Sequence, residues 1–287
     1  MSARRARNSP ALAILLLAPF LGEALSGATP PLELLLPWNL ALMVGLYGCG
    51  ALICREAAHR LGLGLVGLIL LGAAYGVYEE GLVDRFWYSP EFWADQGVGA
   101  YSVVGETNLL LAVLLTAFHA AVSICCSVLL VERAFPGHRD RPWVGTRALV
   151  AAALRSRRRA PRAGPAGDGS TRRRGIAGIA FAATALFWIV AYSLPEAGIP
   201  WPLGIALALA PIVAGWWLVA RRASGDRFGD DALRVITAIL AFFVLLDLFV
   251  GLTGRYDMIL GGAATAAGLR WLWRRRPAPA RTASASG

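Results

Sequence analysis

Ala73-Ala74-Tyr75-Gly76-Val77-Tyr78-Glu79-Glu80-Gly81-Leu82-Val83-Asp84-Arg85 closes an apolar run that opens at Leu61, and two adjacent carboxylates stand inside that run. A run of this length and apolarity predicts a membrane-spanning helix. A carboxylate at membrane depth costs a few kcal/mol, so one that occurs there calls for a function or a partner. Successive helical residues turn by about 100°, which puts Gly72, Gly76 and Glu79 on one face with Glu80 beside it. Gly72 and Gly76 make a small-residue groove that admits a second helix. Glu79 is therefore expected in a helix–helix contact, and Glu80 nearer water. The plain alternative is a structural carboxylate, neutral or paired with an arginine.

The rest of the chain reads the same way. Of its 287 residues, 57% are hydrophobic, and the mean hydropathy is +0.56. These values exceed what a soluble domain can hide, and they predict an all-α fold, a polytopic transmembrane helical bundle of about eight spans. After the first segment, the expected spans lie near residues 37–54, 61–83, 106–131, 175–194, 201–220, 232–251 and 256–273. The first segment is ambiguous. Arg4, Arg5 and Arg7 precede a 12-residue apolar stretch, Ala11 to Gly22, and then Glu23. That layout fits a signal peptide, or a retained helix whose Glu23 is shielded by protein; the many later spans favour retention. Gly62-x-Gly64-x-x-Gly67 mimics a dinucleotide fingerprint but neither follows a strand nor sits in a β-α-β unit.

All 28 basic residues are arginine, and the net charge is +10. Their distribution argues for topology and against nucleic acid. With the N-terminus inside and eight spans, 26 arginines fall on the inner side and only Arg85 and Arg255 outside. So strong a positive-inside bias places both termini in the cytoplasm and the protein in the cytoplasmic membrane of a prokaryote. The chain then divides into a four-span half (1–132), a basic cytoplasmic loop (133–174), a second four-span half (175–276) and a short tail (277–287). Within the loop, residues 143–159 combine a short apolar piece with Arg155, Arg157, Arg158 and Arg159, a pattern suited to an interfacial helix on anionic lipid. Arg55 and Arg60 are expected to snorkel to the headgroups, with Glu56 solvated beside them. The four cysteines show no zinc-type spacing.

With this topology, Glu23, Glu79, Glu80 and Asp247 all lie near the outer ends of their helices. They are the candidate binding residues of an acidic vestibule. Span four adds a polar stripe of Asn108, His119, Ser123 and Cys126, and Glu79, Glu80 and His119 are the candidate catalytic residues. At about 1.5 Å per residue from Glu106, His119 should lie roughly 20 Å below the outer end and Glu80 only about 5 Å below it. That separation argues against one metal held by all three, and the sequence alone assigns no metal or cofactor.

Paired glutamates on one membrane helix and a histidine on the next resemble the CAAX-type (Abi-related) intramembrane proteases, a likeness that implies water activation by these residues. It is partial and covers residues 79–119. Arg85 follows Glu80 one position too late for the protease motif, Leu115 stands where an aromatic precedes the histidine, and no later membrane histidine exists. Ser26-Gly27-x-x-Pro30-Pro31, Arg55-Glu56, Tyr75-Gly76-x-x-Glu79-Glu80-Gly81 and His119-Ala120-x-x-Ser123-Ile124 resemble an uncharacterised family of bacterial and archaeal multi-pass membrane proteins. That resemblance implies no activity. Three functions fit the residues: a transport or cation/proton-binding role through the outer acids, an intramembrane metal-dependent hydrolase, and a membrane scaffold or lipid-interacting protein. The first ranks ahead.

Overall fold

The computed structural model describes residues 3–145, 175–223 and 229–275. It is a helical bundle whose strands, among the described residues, are one two-stranded hairpin, β1 (Val103–Val104) with β2 (Thr107–Asn108). Helix α1 (Ala3–Pro19) continues into a π-helical turn, Phe20–Ala24. A short α2 (Pro31–Leu34) leads to α3 (Pro37–Arg60) and α4 (Leu65–Val83). Then come a short α5 (Pro90–Asp95), α6 (Leu109–Ala134), α7 (Ile176–Ser193), α8 (Trp201–Ala220), α9 (Asp230–Leu252) and α10 (Tyr256–Arg274). Six of these, α3, α4, α6, α7, α8 and α9, are long and apolar enough to cross a bilayer. The two remaining helices of the expected eight are α1, whose apolar part is Pro10–Ala24, and α10, which ends in Arg270 and Arg274. The protein is a polytopic helical membrane protein.

Local chemistry sets the ends of these helices. Proline opens α2, α3 and α5 at positions where its missing N–H costs nothing. Gly62, at φ +64°, turns the chain between α3 and α4. Asn108 caps α6, its Oδ1 accepting from the Leu111 N–H at 3.1 Å.

Helices α4 and α6 run antiparallel in close contact. A methyl group on Gly72 would meet Ala120 and Ile124, and one on Gly76 would meet His119 and Thr116. The expected glycine groove is thus filled by the His119 face of α6. Helix α1 crosses α3 at Gly48, where a Cβ would come within 2.6 Å of the Leu15 carbonyl oxygen. Its Ile14, Leu21 and Leu25 are fully buried, and Glu23 is only 8% exposed, so the helix is part of the core. Leu21, Leu25, Phe118 and Val122 share an apolar cluster with Leu233, Leu240 and Phe243 of α9 and Leu269 of α10. Helix α8 instead presents Leu203, Val213, Trp216 and Trp217 outward, as a lipid-facing helix does.

Four π-helical segments interrupt the bundle among the described residues: Phe20–Ala24, Val44–Gly48, Glu79–Val83 and His119–Cys126. Such segments are rare and gather at functional sites. Here they hold Glu23, Tyr47, Glu79 with Glu80, and His119 with Ser123.

Of the loop expected to lie on anionic lipid, only residues 143–145 are described; the remainder of 143–159 lies outside the described residues.

Candidate functional site: a buried carboxylate–histidine cluster

The His119 Nε2 lies 2.7 Å from Glu80 Oε1 and 2.9 Å from Glu79 Oε2. One ligand atom from each of the three residues falls within 4.8 Å of the others, and all three side chains are buried. The separation expected from residue counting does not exist. Glu106 sits in the turn of the β hairpin and not on the helix, so α6 begins at Leu109 and His119 lies less deep than counted. Side chains also lean toward the N-terminus of their own helix. In an antiparallel pair this drives Glu79 and His119 toward each other. Glu80 is buried as well, at 4% exposure, and not turned to water. It belongs to the π turn Glu79–Val83, where the Trp87 ring covers the neighbouring Gly81.

The other ring nitrogen, His119 Nδ1, is 3.0 Å from the Ser123 hydroxyl. A serine accepting the Nδ1 proton leaves the Nε2 lone pair facing the two carboxylates, the tautomer a metal ligand requires. Around the imidazole stand Phe118, Tyr47 and Tyr75, with ring centroids 5.3, 5.7 and 6.0 Å away. The packed surroundings leave polar atoms unsatisfied. Glu79 Oε1 and Glu80 Oε2 are buried without a hydrogen bond, and Glu79 Oε2 has only the His119 contact. Two adjacent carboxylates so placed are costly unless a proton or a cation compensates them.

Glu23 comes near this cluster, through Tyr47. The Tyr47 hydroxyl stands by the carboxyls of both Glu23 and Glu79, without a well-formed hydrogen bond to Glu79. Asp84, exposed just past the end of α4, feels the same charges. Lost hydration on its inner side, then Glu79, Glu80 and Glu23, push its carboxyl up to about 7. Asp247 is not brought to the cluster. It is buried on α9 against Gly261 and Gly262 of α10, and neither of its oxygens has a hydrogen-bond partner.

A second polar assembly occupies the opposite end of α3 and α6, and here the sequence-based expectation is overturned. Arg55 and Glu56 are 1% and 0% exposed; they neither snorkel nor meet water. Arg55 pairs with Glu56 at 2.8 Å and Glu132 at 3.2 Å, donates to the Arg139 and Arg141 carbonyls, and stacks 4.0 Å from the Trp143 ring. Glu56 accepts from the Trp143 backbone N–H at 2.8 Å and pairs with Arg60 at 3.1 Å. The physical reason is that residues 136–144 fold back over the helix ends and supply the carbonyls that replace water. Arg55-Glu56 in a helix end reads as ordinary interfacial charge, and only the later Glu132 and Trp143 make it a latch.

Fold and cluster together define a multi-pass helical membrane protein with a carboxylate–histidine triad inside its bundle. Residues 12–160, more than half of the chain, match a family described as an uncharacterized membrane protein family, and the chain belongs to it. The matched segment holds the triad, Ser123, Tyr47, Glu23 and the Arg55 latch. No curated protein and no solved structure gives a match.

Proposed function

We propose that this protein binds a divalent transition-metal cation within the membrane, using Glu79, Glu80 and His119, in a transport or metal-handling role. The observation that carries the reading is the approach of His119 Nε2 to one oxygen of each glutamate, with the other carboxylate oxygens buried and unsatisfied. Two carboxylates and a neutral imidazole bring two negative charges, which a dication cancels at membrane depth. A mixed nitrogen and oxygen donor set suits zinc, iron or manganese better than magnesium or calcium. Ser123 would fix the imidazole tautomer. The cytoplasmic membrane of a prokaryote, with both termini inside, remains our topology, on the arginine distribution.

A hydrolase is the second reading, favoured by one feature: with only three protein ligands, a bound metal would be open to a water molecule that it could activate. Elemental analysis of the purified protein tests the primary reading. We expect near-stoichiometric transition metal in the wild type, and its loss in His119→Ala and Glu80→Gln variants that still fold. Metal-free wild-type protein after supplementation with zinc, iron and manganese would exclude both readings.

A further inference from the structure

The first helix brings another carboxylate to within one hydroxyl group of the triad. Glu23 is buried, and its Oε2 accepts from the Thr29 hydroxyl at 2.6 Å. Thr29 is only partly buried, in the turn between α1 and α2, and the Gly27 carbonyl of that turn accepts from Arg255 at 3.3 Å. On its other side, the Glu23 and Glu79 carboxyls both lie near Tyr47, whose ring centroid is 5.7 Å from that of His119. The contact is tight: a methyl group on the neighbouring Gly22 would come within 2.5 Å of the Tyr47 ring and 3.1 Å of the Ser123 hydroxyl. Thr29, Glu23, Tyr47 and Glu79 therefore line up as consecutive polar groups from the partly exposed turn to the buried triad. The other groups flanking the imidazole, the rings of Tyr75 and Phe118, offer no charge to a cation shedding its water.

A hydrated dication crosses into a dry site only where anionic oxygens replace its water one at a time. Glu23 is the carboxylate that stands at that step on the α1 side, as the exposed Asp84 stands beyond Glu79 on the α4 side, and the unsatisfied Glu79 Oε1 is next in line. We propose that Glu23 is an access ligand: it captures a divalent cation at the α1–α2 turn and hands it past the Tyr47 hydroxyl to Glu79, Glu80 and His119. This inference rests on the cation-binding reading above. In the bound state Glu23 is not a ligand, so it governs the rates of exchange and not the equilibrium.

The experiment is stopped-flow binding of Zn²⁺ to the full-length protein in detergent, read by competition with a chromophoric chelator. Glu23→Gln, which keeps the shape of the side chain, should slow both association and dissociation by about tenfold or more while leaving the equilibrium affinity nearly unchanged. Tyr47→Phe, which keeps the buried ring, should slow both rates as well, and it carries the test if Glu23→Gln does not fold. Unchanged rates in both variants overturn the relay. Faster dissociation at unchanged association also overturns it, because that makes Glu23 a permanent ligand. Wild-type protein that takes up no Zn²⁺ fails earlier, at the cation reading itself, and His119→Ala distinguishes triad binding from uptake elsewhere.

Discussion

Gly76 faces His119 across the α4–α6 contact so closely that a methyl group at residue 76 would lie 3.1 Å from the His119 Cβ. One turn earlier, a methyl group on Gly72 would lie 2.9 Å from the Ala120 Cα, where only backbone movement makes room. The two glycines set the helix separation that lets the triad close. Gly72→Ala should therefore destabilise the protein by about 1–3 kcal/mol. Gly76→Leu should fold poorly, or fold with the triad opened and its metal lost. Thermal melts in detergent, with metal content on the same samples, check both. Full stability and full metal content in Gly76→Leu would mean that the helices do not meet here.

The Arg55 latch predicts a strong asymmetry between two arginines that share one partner. Removing Arg55 takes the buried cation from between Glu56 and Glu132, a loss of about 3–5 kcal/mol. Arg60 is 30% exposed in its side chain, so its loss should cost about 1 kcal/mol or less. Arg55→Met and Arg60→Met, compared by thermal melting and by proteolysis of residues 136–145, measure the difference. Equal effects would show that the ion pairs are not buried as described.

Ser123 acts on the triad only through the imidazole. Ser123→Ala should weaken zinc binding by about tenfold to a hundredfold, as loss of a ligand-orienting group does. Ser127, one turn on, is equally buried but has no hydrogen-bond partner for its hydroxyl. Ser127→Ala should leave zinc affinity unchanged. Calorimetric titration of the two variants side by side gives the comparison, and equal affinities would remove Ser123 from the site.

The arginine distribution predicts sidedness independently of the site. Single-cysteine labelling or reporter fusions at residues 160, 225 and 280 should report the cytoplasm, and those near 95, 198 and 254 the outside. The informative positions are those flanking α1 and α10, the two helices that are shorter or less apolar than the other long helices. An outside signal from the 133–174 loop would invert the topology and, with it, the side from which the α1–α2 turn meets water.

What the sequence revealed and what it hid follow from the range of the interactions. The cost of charge in lipid singles out Glu79, Glu80 and His119, and the four-residue spacing of Gly72 and Gly76 announces a helix contact. Their meeting stayed hidden because residue counting assumes a regular helix from Glu106. The hairpin at 103–108 and the π turns at Glu79–Val83 and His119–Cys126 break that assumption. Tyr47 passed unnoticed as one aromatic in an apolar run; only the crossing of α1 at Gly22 and Gly48 gives its hydroxyl a role. Arg55 and Glu56 misled for a related reason. The carbonyls that Arg55 meets and the Trp143 N–H that Glu56 accepts lie some eighty residues away on the backbone, which no side-chain pattern displays.

The central claim is that one cation is held jointly by an imidazole and two carboxylates, and X-ray absorption at the zinc edge reads that ligand set directly. Zinc-loaded wild-type protein should show oxygen and nitrogen scatterers at about 2.0–2.2 Å with the outer-shell pattern of a single imidazole. His119→Ala should lose the imidazole pattern. A sulfur shell near 2.3 Å would move the metal to the buried cysteines, and a spectrum of oxygen scatterers alone in the wild type would separate His119 from the glutamates; either result contradicts the account.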